Sequence, residues 1–164
     1  IIQEIFKNID GYRRSLYLHK NKKSKFVFGP IWDFNLAMGN LKIHDMQNYK
    51  KFLVEKNTPE LPQAFYFRTL WANNNFKKLF KTRYLYLRQA NNILATDNIL
   101  ATINNLASKI KPYAQEDQKI WSKKRNSLFN YFLNTAKKDQ SFMGNIDILK
   151  KWLAKRLEWL DAAI

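Results

Sequence analysis

Apolar and polar positions follow two rhythms along this chain, and the change falls near Pro62. Upstream, Ile2, Ile5, Phe6 and Ile9 recur at helical spacing and Gly11 follows where a helix-stopping residue is expected. The pattern therefore predicts a helix over residues 1–8, with Asp10 at its exit. Ser15 to His19 and Phe26 to Trp32 are runs rich in Tyr, Leu, Phe, Val and Ile, separated by the polar, basic segment Lys20 to Lys25. They read as a β-hairpin with a basic turn. Gly29-Pro30 implies a bulge or an edge position, because proline cannot donate to a ladder. Asp33 to Asp45, containing Gly39-Asn40, reads as an irregular loop.

Downstream of Pro62 the period is helical. Phe65, Phe67, Leu70 and Trp71 predict one helix, and Phe76, Leu79, Phe80, Arg83, Leu87, Ala90 and Leu94 a longer second one. Asp97 is a suitable N-cap for a third, with Leu100, Ile103, Leu106 and Ile110 on its buried stripe. Pro112 should break or kink that helix before Tyr113 to Lys123. Ser127 to Leu133 is a short apolar stretch. Ile146, Leu149, Trp152, Leu153, Leu157, Leu160 and Ile164 form the clearest amphipathic helix of the chain. The expected fold is mainly α with a small N-terminal hairpin: one domain over residues 1–164, in which 1–45 hold the hairpin and loops and 62–164 the helices.

Composition narrows the chemistry. With 46% apolar and 15% aromatic residues, 164 residues can bury one substantial core. The absence of cysteine removes disulfides, thiolate metal sites and a cysteine nucleophile. No apolar run approaches the roughly 18 to 20 residues that span a bilayer, so no membrane span is expected. The opening residues, beginning at Ile1, read as the end of a helix rather than a signal peptide, and a missing upstream part is expected. A formal charge of +16 invites a polyanion reading. The cations are spread along the whole chain, however, mostly on the polar faces of helices, so a solvated basic surface is the simpler reading and a nucleic-acid partner is not expected.

Two aspartates bracket the hairpin. A phosphotransfer site of the protein-kinase type needs one carboxylate to orient the attacking hydroxyl, then an oxygen ligand five residues later. After a hairpin comes a second carboxylate that holds Mg²⁺ against the phosphates. Asp10, Ser15, the hairpin and Asp33-Phe34-Asn35 stand in that order. The same residues have a plainer reading: Asp10 beside Gly11 and Asp33 after a strand are both suited to forming turns. His19 and His44 lack partners that would make either catalytic, and two histidines without local signatures do not support a Ser-His-Asp triad. Asp45, Glu55 and Asp33 share no predicted face. Glu158 and Asp161 read as the polar side of the last helix.

The segment KNIDGYRRSLYLHKNKKSKFVFGPIWDFNLAMGN resembles the signature of the CotH (spore-coat protein H) kinase family, in which an N-x-D segment leads through a hairpin to G-P-x-W-D-F-D-x-A-x-G-N. Leu61-Pro62 with Phe65 to Leu70 and Phe76 to Arg88 are similar to later family segments. LKKWLAKRLEWLDAAI is similar to the family's closing helix L-K-x-W-[IL]-x-x-R-x-x-W-L-D-x-x-I. The resemblance implies a C-lobe-like half of an atypical protein-kinase fold. It implies Asp10 as the catalytic aspartate, Asp33 as a metal ligand with Asn35 and Ser15 beside it, and Mg²⁺ and ATP as cofactors of the full-length parent.

Two departures weaken the implied metal site: Asn35 replaces the family's second Asp, and Ser15 replaces the kinase Asn. Neutral oxygens hold hard cations less tightly than carboxylates do. None of the four glycines forms a G-x-G-x-x-G or a P-loop, so the fragment alone is expected to bind no cofactor and to be inactive. The parent would phosphorylate a protein or other hydroxyl acceptor; a coat-protein-like substrate and a bacterial spore-coat or cell-surface, extracellular location are compatible with the resemblance. A non-catalytic binding or structural module with a basic surface is the alternative. The residues leave oligomeric state open.

Overall fold

The computed structural model describes residues 1–43, 45–56, 65–121, 133 and 141–164. Among these, the chain is mostly helical with one small antiparallel sheet. Helix α1 spans Ile2–Ile5 and is followed by a 3-10 turn, Ile9–Tyr12. The first helix is thus half as long as its apolar spacing predicts. Lys7 takes a left-handed φ of 50°, which ends α1 and restarts the chain at Asn8. Asp10 therefore lies inside a 3-10 turn rather than at a helix exit.

The hairpin forms where expected but is much shorter. Strand β1 is Leu18–His19 and β2 is Val27–Phe28, with Leu18 opposite Phe28 and His19 opposite Val27. Gly29 N–H donates to the Tyr17 carbonyl at 3.0 Å and prolongs the pairing, and Pro30 stands just past β2, beyond the ladder. A second 3-10 turn, Leu53–Glu55, closes the long loop that follows.

Four helices make up the rest: α2 (Phe65–Ala72), α3 (Asn74–Arg88), α4 (Thr96–Trp121) and α5 (Phe142–Ala163). Asn73 starts α3 by accepting the Phe76 N–H at 3.1 Å, and Ser141 starts α5 by accepting that of Gly144 at 3.1 Å. Helix α3 stops at Arg88, short of Leu94, and α4 begins at Thr96, so Asp97 sits in its first turn, where a carboxylate still favours the helix dipole. Pro112 does not divide α4, which runs through it to Trp121. Of the expected α4 stripe, Leu100 and Ile103 pack against the core partly buried, whereas Leu106 and Ile110 are about half exposed and the fully buried positions are Ile99 and Ala107. His44 and most of the Ser127 to Leu133 stretch lie outside the described residues.

Helix α5 organises the larger core. Trp152, Leu153, Leu157 and Leu160 lie on one face and pack with Ile5, Phe80, Tyr84, Leu94 and Ile99. A second cluster of Ile9, Tyr12, Leu41, Met46, Leu53 and Val54 sits under the loop that carries the candidate site. At about 1.5–3 kcal/mol for each large apolar side chain removed from water, these two clusters anchor the irregular segments that local hydrogen bonding alone would leave loose. None of the described helices is long and apolar enough to cross a membrane.

Candidate active site

The segment before Asp10 and the segment after Asp33 are held against one another by three contacts. The Met38 N–H donates to the Phe6 carbonyl at 2.8 Å, the rings of Phe6 and Phe34 meet edge to face at 6.0 Å, and the Asn8 side-chain amide donates to the Asp33 carbonyl at 3.4 Å. Both segments turn sharply, with left-handed φ at Lys7, Asp33 and Met38. Such backbone in non-glycine residues persists only where the surroundings fix it.

Gly39 shows how tightly this is done. Its φ is +73°, and a Cβ there would lie 2.5 Å from the indole of Trp152. That indole in turn donates to the Gln47 carbonyl at 2.8 Å. Helix α5 thus clamps the loop through a position that only glycine fills.

Within this frame Asp10 is partly buried and accepts a hydrogen bond from Arg13 Nε at 3.1 Å. Its carbonyl receives the N–H groups of Arg13, Arg14 and Ser15, the last at 2.9 Å, so Ser15 is drawn back to the Asp10 turn. Asp33 and Asn35 are exposed. Asn35 is fixed through its backbone, whose carbonyl accepts from the Asn40 side chain at 2.7 Å. Among the described residues no hydrogen bond or ion pair links the Asp10 carboxylate to Asp33 or Asn35. The structure thus joins Asp10 to Ser15, and Asp33 to Asn8.

Asn8 is the residue that the order Asp10, Ser15, Asp33, Asn35 did not point to. It is fully buried and its Oδ1 has no hydrogen-bond partner. An orphaned buried acceptor is rare and costs roughly 1–3 kcal/mol, so its retention beside Asp33 needs a reason. The side-chain oxygens on these segments include the exposed Asp33 carboxylate, the Asn35 amide, the Ser15 hydroxyl and the buried Asn8 Oδ1. All are hard ligands, of the kind Mg²⁺ accepts while keeping several waters. Among the described residues no three Asp, Glu, His or Cys side chains cluster in a way that could hold an ion. The donors fit Mg²⁺ in type and are poor in charge.

Below the site lies a buried polar knot. Arg156 is on the apolar face of α5 and is wholly buried; it donates to the carbonyls of Glu4 (2.7 Å), Tyr49 (2.7 Å) and Lys51 (2.8 Å) and lies 3.4 Å from a Glu4 carboxylate oxygen. Glu4 also accepts the Tyr12 hydroxyl at 2.7 Å and the N–H groups of Leu53 and Val54 at 2.8 and 2.7 Å. Lys7 donates to the Asn48 and Lys50 carbonyls. Burial, then the neighbouring Arg156 charge, lowers the Lys7 ammonium to about 8. Burial, then the Glu4 carboxylate, pushes the Tyr12 phenol well above its usual range. A charged residue on an otherwise apolar stripe is the sequence signal that marks Arg156.

Asp161 is also more than the polar side of its helix. Arg88 grips it with two hydrogen bonds, 2.8 and 2.6 Å, and Tyr84 donates to it at 2.8 Å. Burial works to raise its carboxyl, but the Arg88 and Tyr84 hydrogen bonds outweigh this and hold it below the ordinary carboxylate range. Arg88 and Asp161 so join the ends of α3 and α5.

The motifs at Asn8 to Asp10, Trp32 to Asn40, Tyr84 to Arg88 and Trp152 to Asp161 therefore converge on one frame: two juxtaposed loop segments clamped by the last helix. Neither curated proteins nor solved structures give a match to this sequence. The model of the family described as CotH kinase protein matches residues 1–160, and the chain belongs to that family.

Proposed function

We propose that this chain carries the catalytic and metal-holding part of an atypical kinase, whose full-length parent moves a phosphoryl group from Mg-ATP to a hydroxyl of a protein or another acceptor. The observation that carries the reading is the clasp of residues 6–8 on residues 33–38, made by Asn8, Phe6 and Phe34. It holds the residues just before Asp10 against the segment that begins at Asp33, and phosphotransfer needs an oriented hydroxyl beside a held phosphate.

In this reading Asp10 orients the acceptor hydroxyl and takes its proton at a carboxylate oxygen, with Arg13 setting the rotamer. Asp33 is the charged metal ligand, helped by Asn35 and Ser15, and Asn8 fixes the Asp33 turn. When bound, Mg²⁺ neutralises charge on the phosphate oxygens. The sequence holds no glycine-rich phosphate loop, so the nucleotide is gripped by residues outside these 164, and the chain alone is inactive.

A second reading is supported by the neutral Asn35: the same scaffold kept as a binding module, with the Asp10 carboxylate engaged by Arg13. Transfer of labelled phosphate from ATP by the full-length protein separates the two. Asp10→Asn and Asp33→Asn should each lower the rate at least about 10²-fold, the lower end of what positioned acid–base groups contribute. Transfer that is unchanged by both substitutions would remove the phosphotransfer reading.

A further inference from the structure

The ribbon between Asp10 and Asp33 exposes more apolar surface than a connector needs. Leu18, Phe26, Val27, Phe28, Ile31 and Trp32 are each 46–65% exposed. A concentration of large apolar side chains like this marks an interaction site. The same stretch is wholly basic: Arg13, Arg14, Lys20, Lys22, Lys23 and Lys25 lie between Gly11 and Trp32, with no Asp or Glu among them. Among the described residues β1 and β2 are the whole sheet, so each has an outer edge.

We propose that this ribbon docks an extended acidic polypeptide segment with apolar residues at alternate positions, added along a strand edge. The edge supplies main-chain donors and acceptors, the exposed rows receive the partner's apolar side chains, and the lysines meet its carboxylates. Two other anionic partners fit less well. The lysines occupy the turn, where Ser24 N–H bonds to the Asn21 carbonyl. That turn leads the ribbon, so entering a bilayer would carry the charges in ahead of the apolar rows.

Nucleic acid would need a row of open ring faces for its bases. Here Tyr17 meets Trp32 edge to face at 6.3 Å, and Phe28 leans on Phe67 at 5.7 Å. The docked segment would lie beside both aspartates, but docking does not depend on phosphotransfer and should survive Asp33→Ala.

The test is fluorescence polarisation of the full-length protein with a labelled peptide of alternating Glu and Val. A peptide of alternating Lys and Val, phosphatidylserine vesicles and a thymidine oligonucleotide form the other arms. The Glu/Val peptide should bind in a salt-dependent manner and the Lys/Val peptide should not. Lys22→Glu with Lys23→Glu, in an exposed turn where circular dichroism can confirm an unchanged fold, should weaken the acidic peptide at least about tenfold and favour the basic one. Phe26→Ser should weaken binding without altering its salt dependence. Absence of peptide binding, equal binding of both peptides, or binding confined to vesicles or oligonucleotide would overturn the proposal.

Discussion

Replacing Arg156 with methionine tests the buried knot that sets the site's frame. Methionine matches the length and apolar surroundings of the stripe but supplies no donors. The carbonyls of Glu4, Tyr49 and Lys51, of which only that of Glu4 belongs to a buried residue and keeps a second donor in the Lys7 N–H, then lose Arg156, and the buried Glu4 carboxylate loses its counter-charge. An unpaired buried acceptor costs about 1–3 kcal/mol, and removing one member of a buried ion pair about 3–5 kcal/mol. These costs overlap, because Glu4 keeps Tyr12, Leu53 and Val54 as donors. A net loss of about 4 kcal/mol is therefore expected. For a chain of this size that is a fall in Tm of about 8–16 °C.

Urea unfolding followed by circular dichroism at 222 nm measures the loss, and an unchanged m-value would show that the denatured state is not responsible. Arg156→Lys keeps the charge but cannot reach three carbonyls at once, so it should recover only part of the stability. A loss below about 1 kcal/mol for Arg156→Met would refute the reasoning, since that is no more than an exposed ion pair contributes.

Other consequences follow from the same geometry. Asn35→Asp should tighten Mn²⁺ binding about tenfold and Asp33→Ala should weaken it by at least as much, because hard cations favour carboxylates over amides; calorimetry reads both. Gly39→Ala should cost about 2–4 kcal/mol, from left-handed strain together with overlap of the Trp152 indole; thermal unfolding checks it. Arg88→Lys should cost about 1–2 kcal/mol by giving up the two-pronged grip on Asp161.

The pH dependence has a worked sign. Folded Lys7 gives up its proton near 8, whereas unfolded Lys7 does so near 10.5. Between these values the unfolded chain holds more protons, so stability should rise with pH through that window. Tyr12 acts oppositely from about pH 10, where the unfolded phenol ionises and the folded one does not. Lys7→Met should abolish the rise and leave the later fall, as seen in urea midpoints across pH.

The helices were legible because each carries an apolar stripe of the right period, although α5, expected to be the clearest, is the least one-sided of the four longer helices because apolar residues also stand outside its packed face. Where α4 packs was less legible. Its apolar positions cover more than one face, and sequence spacing alone does not say which face meets α5. The hairpin was legible as a place but not as a length: a two-stranded ribbon with mostly exposed side chains, touching α2 through Phe28, has little to hold it, and the paired region shrinks to two residues each.

The knot of Glu4, Lys7 and Arg156 was hidden for another reason. Its hydrogen bonds go largely to backbone carbonyls, up to 152 residues away, and carbonyls leave no mark in a sequence. Asn8 was likewise overlooked, because its partner is the Asp33 backbone. Only the misplaced charge of Arg156 and the repeated Arg and Asp of the helical motifs offered a hint, and Asp161 was read as solvent-facing.

Manganese-induced broadening in the amide spectrum of the isotopically labelled full-length protein addresses the shared ion most directly. One ion held between the two turns should broaden Asn8, Asp10 and Ser15 together with Asp33 to Asn35, and Asp33→Ala should restore all of them at once. Broadening restricted to one turn, or persisting after that substitution, would contradict a common site.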